Sequence, residues 1–224
     1  MAAGYRVGSK PILGDEIFRY LVMSAAPKVL MTPAEYLALE RKADFKSQFF
    51  KGEMFAVAGA SFEHIQIVAN LVGAFGNLLL SSKCPILPSD MQVAIEPRYN
   101  YTYPDAVVVC EEPRFVDDQF DTLLNPKVIM EVLSDSTEKY DLGRKFSAYR
   151  NMTSVESIVF VRQDFPHVDV YTRRDDKSWL LTRTLKLEDS VAVEAIDATV
   201  AMSEIYRHVV FQPIANVESK SLLR

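Results

Sequence analysis

The sequence predicts an α/β fold built on an αβββαβ core. Two stretches place apolar residues at helical spacing, and the first of them begins at Ser61, a helix-capping residue type. The stretches between and after them are rich in β-branched and aromatic residues, as strands are. The predicted core elements, in chain order, are helix 62–80, strands 86–95, 103–110 and 127–134, helix 141–151 and strand 157–162.

Further elements extend this core at both ends. Thr32, Pro33 and Glu35 form a capping box with proline at the first helical position, which predicts an N-terminal helix to about residue 42, and residues 48–57 have strand character. A β-meander is predicted after the core. Its elements are strands 168–173 and 179–185, turning through Asp175-Asp176, and a short helix at 203–208. We expect one domain over residues 30–212, an N-terminal extension over 1–29 and a C-terminal tail over 213–224.

The composition is that of a folded cytoplasmic protein. Of the 224 residues, 49% are hydrophobic and 25% are charged, which is ordinary for a globular domain. No apolar run approaches the roughly 20 residues needed to cross a bilayer, and the N-terminus does not resemble a signal peptide. Cys84 and Cys110 predict neither a disulfide framework nor a zinc site. The net charge of -5 argues against coating nucleic acid but leaves room for a local basic groove.

Two carboxylates stand inside segments that are otherwise apolar. Asp105 lies within the predicted strand 103–110, and Glu131 lies within the predicted strand 127–134. The strand period of two places Ile129, Glu131 and Leu133 on one face and Val128, Met130 and Val132 on the other. An unpaired ionised carboxylate among large aliphatic residues would cost several kcal/mol, roughly, so Glu131 needs a partner or a metal ion.

The register of the predicted hairpin brings these two carboxylates together. In an antiparallel pair, opposed residues have a constant sum of residue numbers. Asp105 and Glu131 have the sum 236, the same as Glu111 and Asn125, which bound the connecting loop. The simplest hairpin therefore places the two side chains opposite each other, with Cβ atoms roughly 5 Å apart. Because like charges at that distance repel, a cation between them is expected.

An ordered set of motifs resembles a known nuclease family. The set consists of Tyr103-Pro104-Asp105-Ala106-Val107-Val108-Val109-Cys110, Asn125-Pro126, Glu131-Val132-Leu133-Ser134-Asp135-Ser136-Thr137, Asp141, Lys145, Tyr149 and Val168-Asp169-Val170-Tyr171. It resembles the Uma family of restriction-endonuclease-like proteins in the PD-(D/E)XK nuclease superfamily, over about residues 32–210. The resemblance implies a restriction-endonuclease-like fold with a mixed central sheet and metal-dependent cleavage of DNA. The implied cofactor is Mg²⁺ or Mn²⁺, which prefers oxygen ligands.

The resemblance also implies the catalytic residues. Asp105 and Glu131 match the two acidic residues that hold the metal ion. Leu133 stands where the wider superfamily has a lysine, and Lys145 on the following helix matches the lysine of the Uma family. Lys145 lies about 60° from the centre of the apolar stripe of that helix, so it flanks the packed face. Lys139, which precedes the helix, is the fallback for this role.

Other residues complete the predicted site. Asp90 is a candidate third acidic ligand of the metal ion. Glu53, His64 and Tyr149 match polar family positions and are candidate accessory residues. The candidate DNA-binding residues are Arg144, Arg150 and Arg173.

Several alternatives remain open from the sequence. Asp105 and Glu131 could form structural ion pairs with Arg144 or Lys145, and Lys145 could pair with Asp141 four residues earlier. The whole chain could be a binding module that keeps the fold and grips nucleic acid or protein without cutting. A glycosidase with two carboxylates about 5 Å or more apart is a third interpretation. A homodimer is an expected form of assembly that the sequence does not decide.

Overall fold

A six-stranded mixed sheet forms the centre of the computed structural model. The structure describes residues 30–57, 59–95, 100–134, 138–175 and 178–211. The predicted extension, the predicted C-terminal tail, the motif residues Asp135-Ser136-Thr137 and the turn residue Asp176 lie outside the described residues. Within the described part of the chain, no helix is long and apolar enough to cross a membrane.

The described elements are short strands and a few helices. The strands are β1 (Ser47–Phe50), β2 (Glu53–Ala56), β3 (Ile86–Pro88), β4 (Gln92–Ile95), β5 (Asn100–Thr102), β6 (Ala106–Val108), β7 (Thr122–Leu123), β8 (Val128–Leu133), β9 (Ser157–Arg162), β10 (Val168–Arg173), β11 (Trp179–Thr184), β12 (Ser190–Val193) and β13 (Ala198–Ala201). The helices are α1 (Pro33–Glu40), α2 (Phe62–Leu79), α3 (Glu138–Tyr140), a π-helical segment (Asp141–Lys145), α4 (Phe146–Asn151), a 3-10 turn (Glu194–Ile196) and α5 (Met202–Ile205).

The central sheet has the strand order β11-β10-β9-β8-β6-β3. Strands β8 and β9 are parallel, because the helical stretch between them returns the chain to the same edge, and the other neighbours are antiparallel. Helix α2, strands β3, β6 and β8, the helical stretch from α3 to α4 and strand β9 follow one another along the chain. The predicted α/β fold with an αβββαβ core and a mixed sheet is confirmed.

A second sheet has the order β2-β1-β5-β4-β7. The predicted strands 48–57 and 86–95 were wrong, because each is divided into two strands, at least one of which belongs to this sheet. Residues 48–57 form a hairpin that turns at Gly52, whose φ of +88° favours glycine. Residues 86–95 form two strands in different sheets, since the chain turns between β3 and β4 at Ser89-Asp90. Pro88, Ser89 and Asp90 are turn-forming residue types, but the apolar residues on both sides gave no sign that the two strands belong to different sheets.

Helix α2 packs one face against the central sheet. Ser61 caps it as predicted, accepting a hydrogen bond from the backbone N–H of His64. Its buried residues are Ile67, Asn70, Leu71, Phe75 and Leu79. Two of the apolar residues at helical spacing, Ile65 and Leu78, are exposed instead, by 57% and 52%. The buried amide of Asn70 donates to the carbonyl oxygens of Ile205 at 3.0 Å and Arg207 at 2.8 Å, which fastens the C-terminal helix α5 to α2.

Strand β8 divides the interior into two hydrophobic cores. Val128, Met130 and Val132 pack on the side of α2. Ile129 and Leu133 pack on the other side, with Tyr149 of α4. The predicted alternation of the two faces is confirmed, and it places Glu131 in the second core.

The two cysteines are joined by a disulfide between Cys84 and Cys110, which corrects the expectation that they make no disulfide framework. The pairing of β3 with β6 explains it, because Ile86 lies opposite Val108. Extending that ladder by two residues places Cys84 opposite Cys110. The hairpin of β12 and β13 was not predicted from the sequence, and its valines pack into the α2 side of the core.

Candidate active site

The hairpin of β6 and β8 has the predicted register. Ala106 pairs with Met130 and Val107 pairs with Ile129, so Asp105 and Glu131 lie at the next opposed position. Asp105 precedes the first residue of β6, at the point where the strand leaves the core. Its Oδ2 accepts a hydrogen bond of 2.7 Å from the backbone N–H of Val132, which ties the carboxylate to the neighbouring strand.

Glu131 is buried, with 3% of its surface exposed. Its Oε1 accepts hydrogen bonds from Lys145 Nζ at 2.9 Å and from Tyr149 Oη at 2.5 Å. Both bonds use the same oxygen, and Oε2 accepts none from the described residues. The buried carboxylate therefore keeps one oxygen available for a further ligand.

The helical stretch after β8 supplies three side chains to this cluster. Asp141, Lys145 and Tyr149 are spaced by four residues, so they lie on one face. Lys145 Nζ lies 3.1 Å from Asp141 Oδ1 as well as 2.9 Å from Glu131. Both open alternatives for Lys145, the pair with Asp141 and the contact with Glu131, are thus present together. Its side chain is only 6% exposed, so the prediction that it flanks the packed face was wrong.

The π-helical segment explains the burial of Lys145. The estimate from sequence used the 100° per residue of an α-helix, whereas Asp141–Lys145 forms a wider π-helical turn. A π-helical turn rotates less per residue, which changes the direction of every side chain that follows it. Such insertions are frequent at functional sites.

His64 contacts Asp105, the other carboxylate of the pair. It lies in the first turn of α2, and its Nε2 is 3.0 Å from Asp105 Oδ1. Each oxygen of Asp105 therefore has one partner, His64 on Oδ1 and the Val132 N–H on Oδ2. The predicted residues Asp105, Glu131, His64, Lys145 and Tyr149 come together in this cluster.

Burial and charge act against each other within the cluster. Burial raises the pKa of Glu131 to about 7, with Asp141 and Asp105 adding to the shift and Lys145 opposing it. Burial alone would lower the pKa of Lys145, but the charges of Glu131 and Asp141 outweigh it and the net shift is upward. The pKa of His64 is also raised, because the hydrogen bond to Asp105 and the nearby carboxylates outweigh its burial.

The ionised cluster carries more negative than positive charge, and this excess of negative charge suits a metal cation. Asp105, Glu131 and Asp141 face one lysine and one histidine, so the carboxylates are incompletely compensated. Among the described residues, no three His, Cys, Asp or Glu side chains are arranged to hold a metal by themselves. Mg²⁺ is usually bound by one or two carboxylates and keeps several waters, so Asp105 and Glu131 suit it as a pair.

Asp90 lies outside this cluster. It is in the turn between β3 and β4, where its side chain is 83% exposed and paired with Lys46. The prediction of Asp90 as a third ligand assumed one continuous strand from 86 to 95. Because the chain turns at Ser89-Asp90, this carboxylate points to solvent and Lys46 instead.

The three predicted DNA-binding arginines lie in different surroundings. Arg173 donates to the carbonyl oxygens of Val155, Arg150 and Met152 and lies 4.4 Å from the Trp179 ring centroid. These contacts correct its role to a structural one, since it satisfies the carbonyls at the end of α4. Arg150 is exposed, with its guanidinium 5.3 Å from the Phe146 ring centroid.

Arg144 and Glu53 line a cleft of about 700 Å³ beside the cluster. The cleft lies between the β1–β2 turn and the helical stretch from α3 to α4. The sequence analysis did not assign a role to Asp141 beyond an ion pair with Lys145. The spacing of Asp141, Lys145 and Tyr149 was the signal that all three converge on one site.

Comparisons with known proteins agree with this architecture. Residues 33–203 match the model of the Uma2 family, described as "Putative restriction endonuclease". Two proteins of Synechocystis sp. are similar, "Uncharacterized protein sll1609" with 35% identity over 73% of this chain and 93% of its own length, and "Uncharacterized protein slr1290" with 33% identity over 84% and 97%.

A solved structure shares the fold at low sequence identity. It is described as a putative nuclease belonging to DUF820 from Anabaena variabilis, and it aligns with a TM-score of 0.63 and 13% identity. The alignment covers 79% of this chain and 97% of that protein. The family match spans most of the chain, and the similar proteins are matched over nearly their whole length. The chain therefore belongs to the Uma2 family of restriction-endonuclease-like proteins.

Proposed function

We propose that this protein is an endonuclease that hydrolyses phosphodiester bonds of DNA with Mg²⁺ or Mn²⁺. The observation that carries the proposal is the incompletely compensated pair of half-buried Asp105 and buried Glu131, with buried Lys145 beside it. A cluster of this kind is costly to fold unless it serves a ligand of opposite charge. The membership in a family of nuclease-like proteins supports the same activity.

Each residue of the cluster has a role in this proposal. Asp105 and Glu131 would hold the metal ion. Asp105 would bind it from its position directly before β6, and Glu131 would bind it through the available Oε2. A bound ion of this kind activates water as a nucleophile and offsets the charge on the attacked phosphate. Tyr149 and Lys145 fix the orientation of Glu131, and His64 fixes that of Asp105. The ammonium of Lys145 also stabilises negative charge that grows near Glu131 in the transition state.

The test is cleavage of single- and double-stranded DNA with Mg²⁺, Mn²⁺ or EDTA. Wild type should cleave only with the ions, and Asp105→Asn should cleave about 10²–10³-fold more slowly, as on loss of one preorganised group. Asp118→Asn makes the same substitution at an exposed acid in the 109–121 loop and should behave as wild type. Cleavage in EDTA, or equal rates for the two variants, would contradict the proposal.

The alternative of an inert binding module gives a different result. Such a protein would bind DNA without cleaving it under any of the three conditions. In the metal-free cluster, Lys145 already pairs with both Glu131 and Asp141, which is the arrangement that a purely structural role would use. Binding without cleavage in all of these conditions would therefore favour the module over the enzyme.

A further inference from the structure

The cleft beside the cluster joins two parts of the fold that are distant in sequence. Phe50 and Lys51 line it from the β1–β2 turn. Lys139, Arg144 and Asn151 line it from the helical stretch. Its volume of about 700 Å³ is within the usual range for bound small ligands, roughly 300–1,000 Å³.

Three cations in this cleft have no acidic partner among the described residues. They are Lys51, Lys139 and Arg144, and Glu53 is the acid among the lining residues. Most of the other Lys and Arg side chains in the described residues form an ion pair with Asp or Glu. Examples are Arg41, Lys46, Arg162, Arg174 and Arg183. In a protein of net charge -5, three unpaired cations in one cleft create a local site for an anion.

The same cleft offers an aromatic surface next to the catalytic cluster. The Arg144 guanidinium lies 6.0 Å from the Phe50 ring centroid. The Phe50 ring in turn lies 6.3 Å from the ring of Tyr140, centroid to centroid. Lys145 Nζ is 5.8 Å from the Tyr140 ring centroid, so the Tyr140 ring lies near both Phe50 of the cleft and Lys145 of the cluster.

We propose that this cleft binds one strand of nucleic acid as it leaves the catalytic cluster, with phosphates on Lys51, Lys139 and Arg144 and a base against Phe50. Cations that follow a backbone, combined with an aromatic platform, form the usual site for single strands. An unpaired strand is favoured over a duplex, because bases that are paired and stacked within a duplex cannot lie against Phe50. The inference rests on the proposed nuclease function and adds its preference for single-stranded segments.

The experiment measures binding separately from cleavage. A fluorescein-labelled 12-nucleotide DNA strand is titrated with the full-length protein in EDTA, and binding is followed by fluorescence anisotropy. The test variant is Lys51→Gln/Lys139→Gln/Arg144→Gln. The matched control is Lys42→Gln/Lys83→Gln/Lys186→Gln, which removes the same charge from exposed positions outside the cleft.

Three phosphate contacts predict a measurable salt dependence. Each contact to a single strand contributes about -0.7 to the slope of log K against log salt, so wild type should lose about 20-fold in affinity between 50 and 200 mM salt. The test variant should bind at least 10-fold more weakly at 50 mM and show a flatter slope. The control should keep the wild-type slope, since it removes no cleft contact.

A second arm tests the strandedness and the aromatic platform. An unlabelled single strand should compete at least 10-fold better than a blunt hairpin duplex. Phe50→Ala should lower the affinity for the single strand without changing the slope of log K against log salt. Equal loss in the two triple variants, or equal competition by the duplex, would overturn the inference. Binding through the cleft, together with no cleavage in parallel reactions that contain Mg²⁺ or Mn²⁺, would instead refute the nuclease function and leave the cleft assignment intact.

Discussion

Replacing Lys145 with methionine tests the charge balance of the buried cluster. Methionine keeps the apolar stem but removes the ammonium that lies within 3.1 Å of both Glu131 and Asp141. Removing one partner of a buried ion pair typically costs about 3–5 kcal/mol, because the remaining charge is left uncompensated. For a chain of this length, that corresponds to a fall in melting temperature of roughly 6–20 °C.

The assay is urea unfolding in EDTA, supported by thermal melting. Lys139→Met makes the same substitution at an exposed residue of the same helical stretch and should change stability by less than about 0.5 kcal/mol. The double variant Lys145→Met/Glu131→Gln should recover part of the loss, since it no longer buries an unpaired Glu131. If Lys145→Met is as stable as Lys139→Met, Lys145 does not compensate the buried carboxylates and the site has been misread.

The other predictions concern pH, metal and the arginine at the end of α4. Because the pKa of Glu131 is raised to about 7, the folded state retains a proton that the unfolded state loses from about pH 4.5. Stability of the metal-free protein should therefore fall as pH rises through this window. Between pH 5 and pH 8, the unfolding free energy of Glu131→Gln should rise by about 2.5 kcal/mol relative to that of wild type, and a constant difference would contradict the raised pKa. A hundredfold excess of Mn²⁺ over Kd should stabilise wild type by about 2.7 kcal/mol and Asp105→Asn very little; equal melting shifts would place the metal elsewhere. Arg173→Gln should lower the unfolding free energy by about 2–3 kcal/mol through the lost carbonyl contacts, with the affinity for DNA unchanged. Weaker DNA binding at unaltered stability would restore Arg173 to the DNA-binding residues.

The parts of the site that depend on strand geometry were predictable from the sequence. The alternation of β8 and the register of β6 against β8 follow from residue numbering alone, and both are confirmed. The pairing of Cys84 with Cys110 obeys the same kind of register and could have been found by it. It was missed because residues 86–95 were treated as one strand.

The parts that depend on a change of direction were only partly predictable. Pro88, Ser89 and Asp90 are turn-forming residue types and indicate a break between two short strands, but nothing in the sequence shows that the second strand joins a different sheet. The π-helical segment before Lys145 alters the angle between side chains without altering the hydrophobic pattern. In the sequence, Arg173 is a cation on a predicted strand. Only the folded structure shows that its guanidinium donates to carbonyl oxygens at the end of α4.

The contact of Asn70 with the chain near its C-terminus has a consequence for folding during synthesis. Its side chain bonds to carbonyls 135 and 137 residues later, so α2 acquires these partners only after Arg207 has left the ribosome. Until then the buried face of α2, which also carries His64, lacks part of its cover, and contacts this distant in sequence form late. A nascent chain stalled before α5 should therefore be protease-sensitive in α2, and the nuclease-like site should mature only after α5 and Arg207 have left the ribosome.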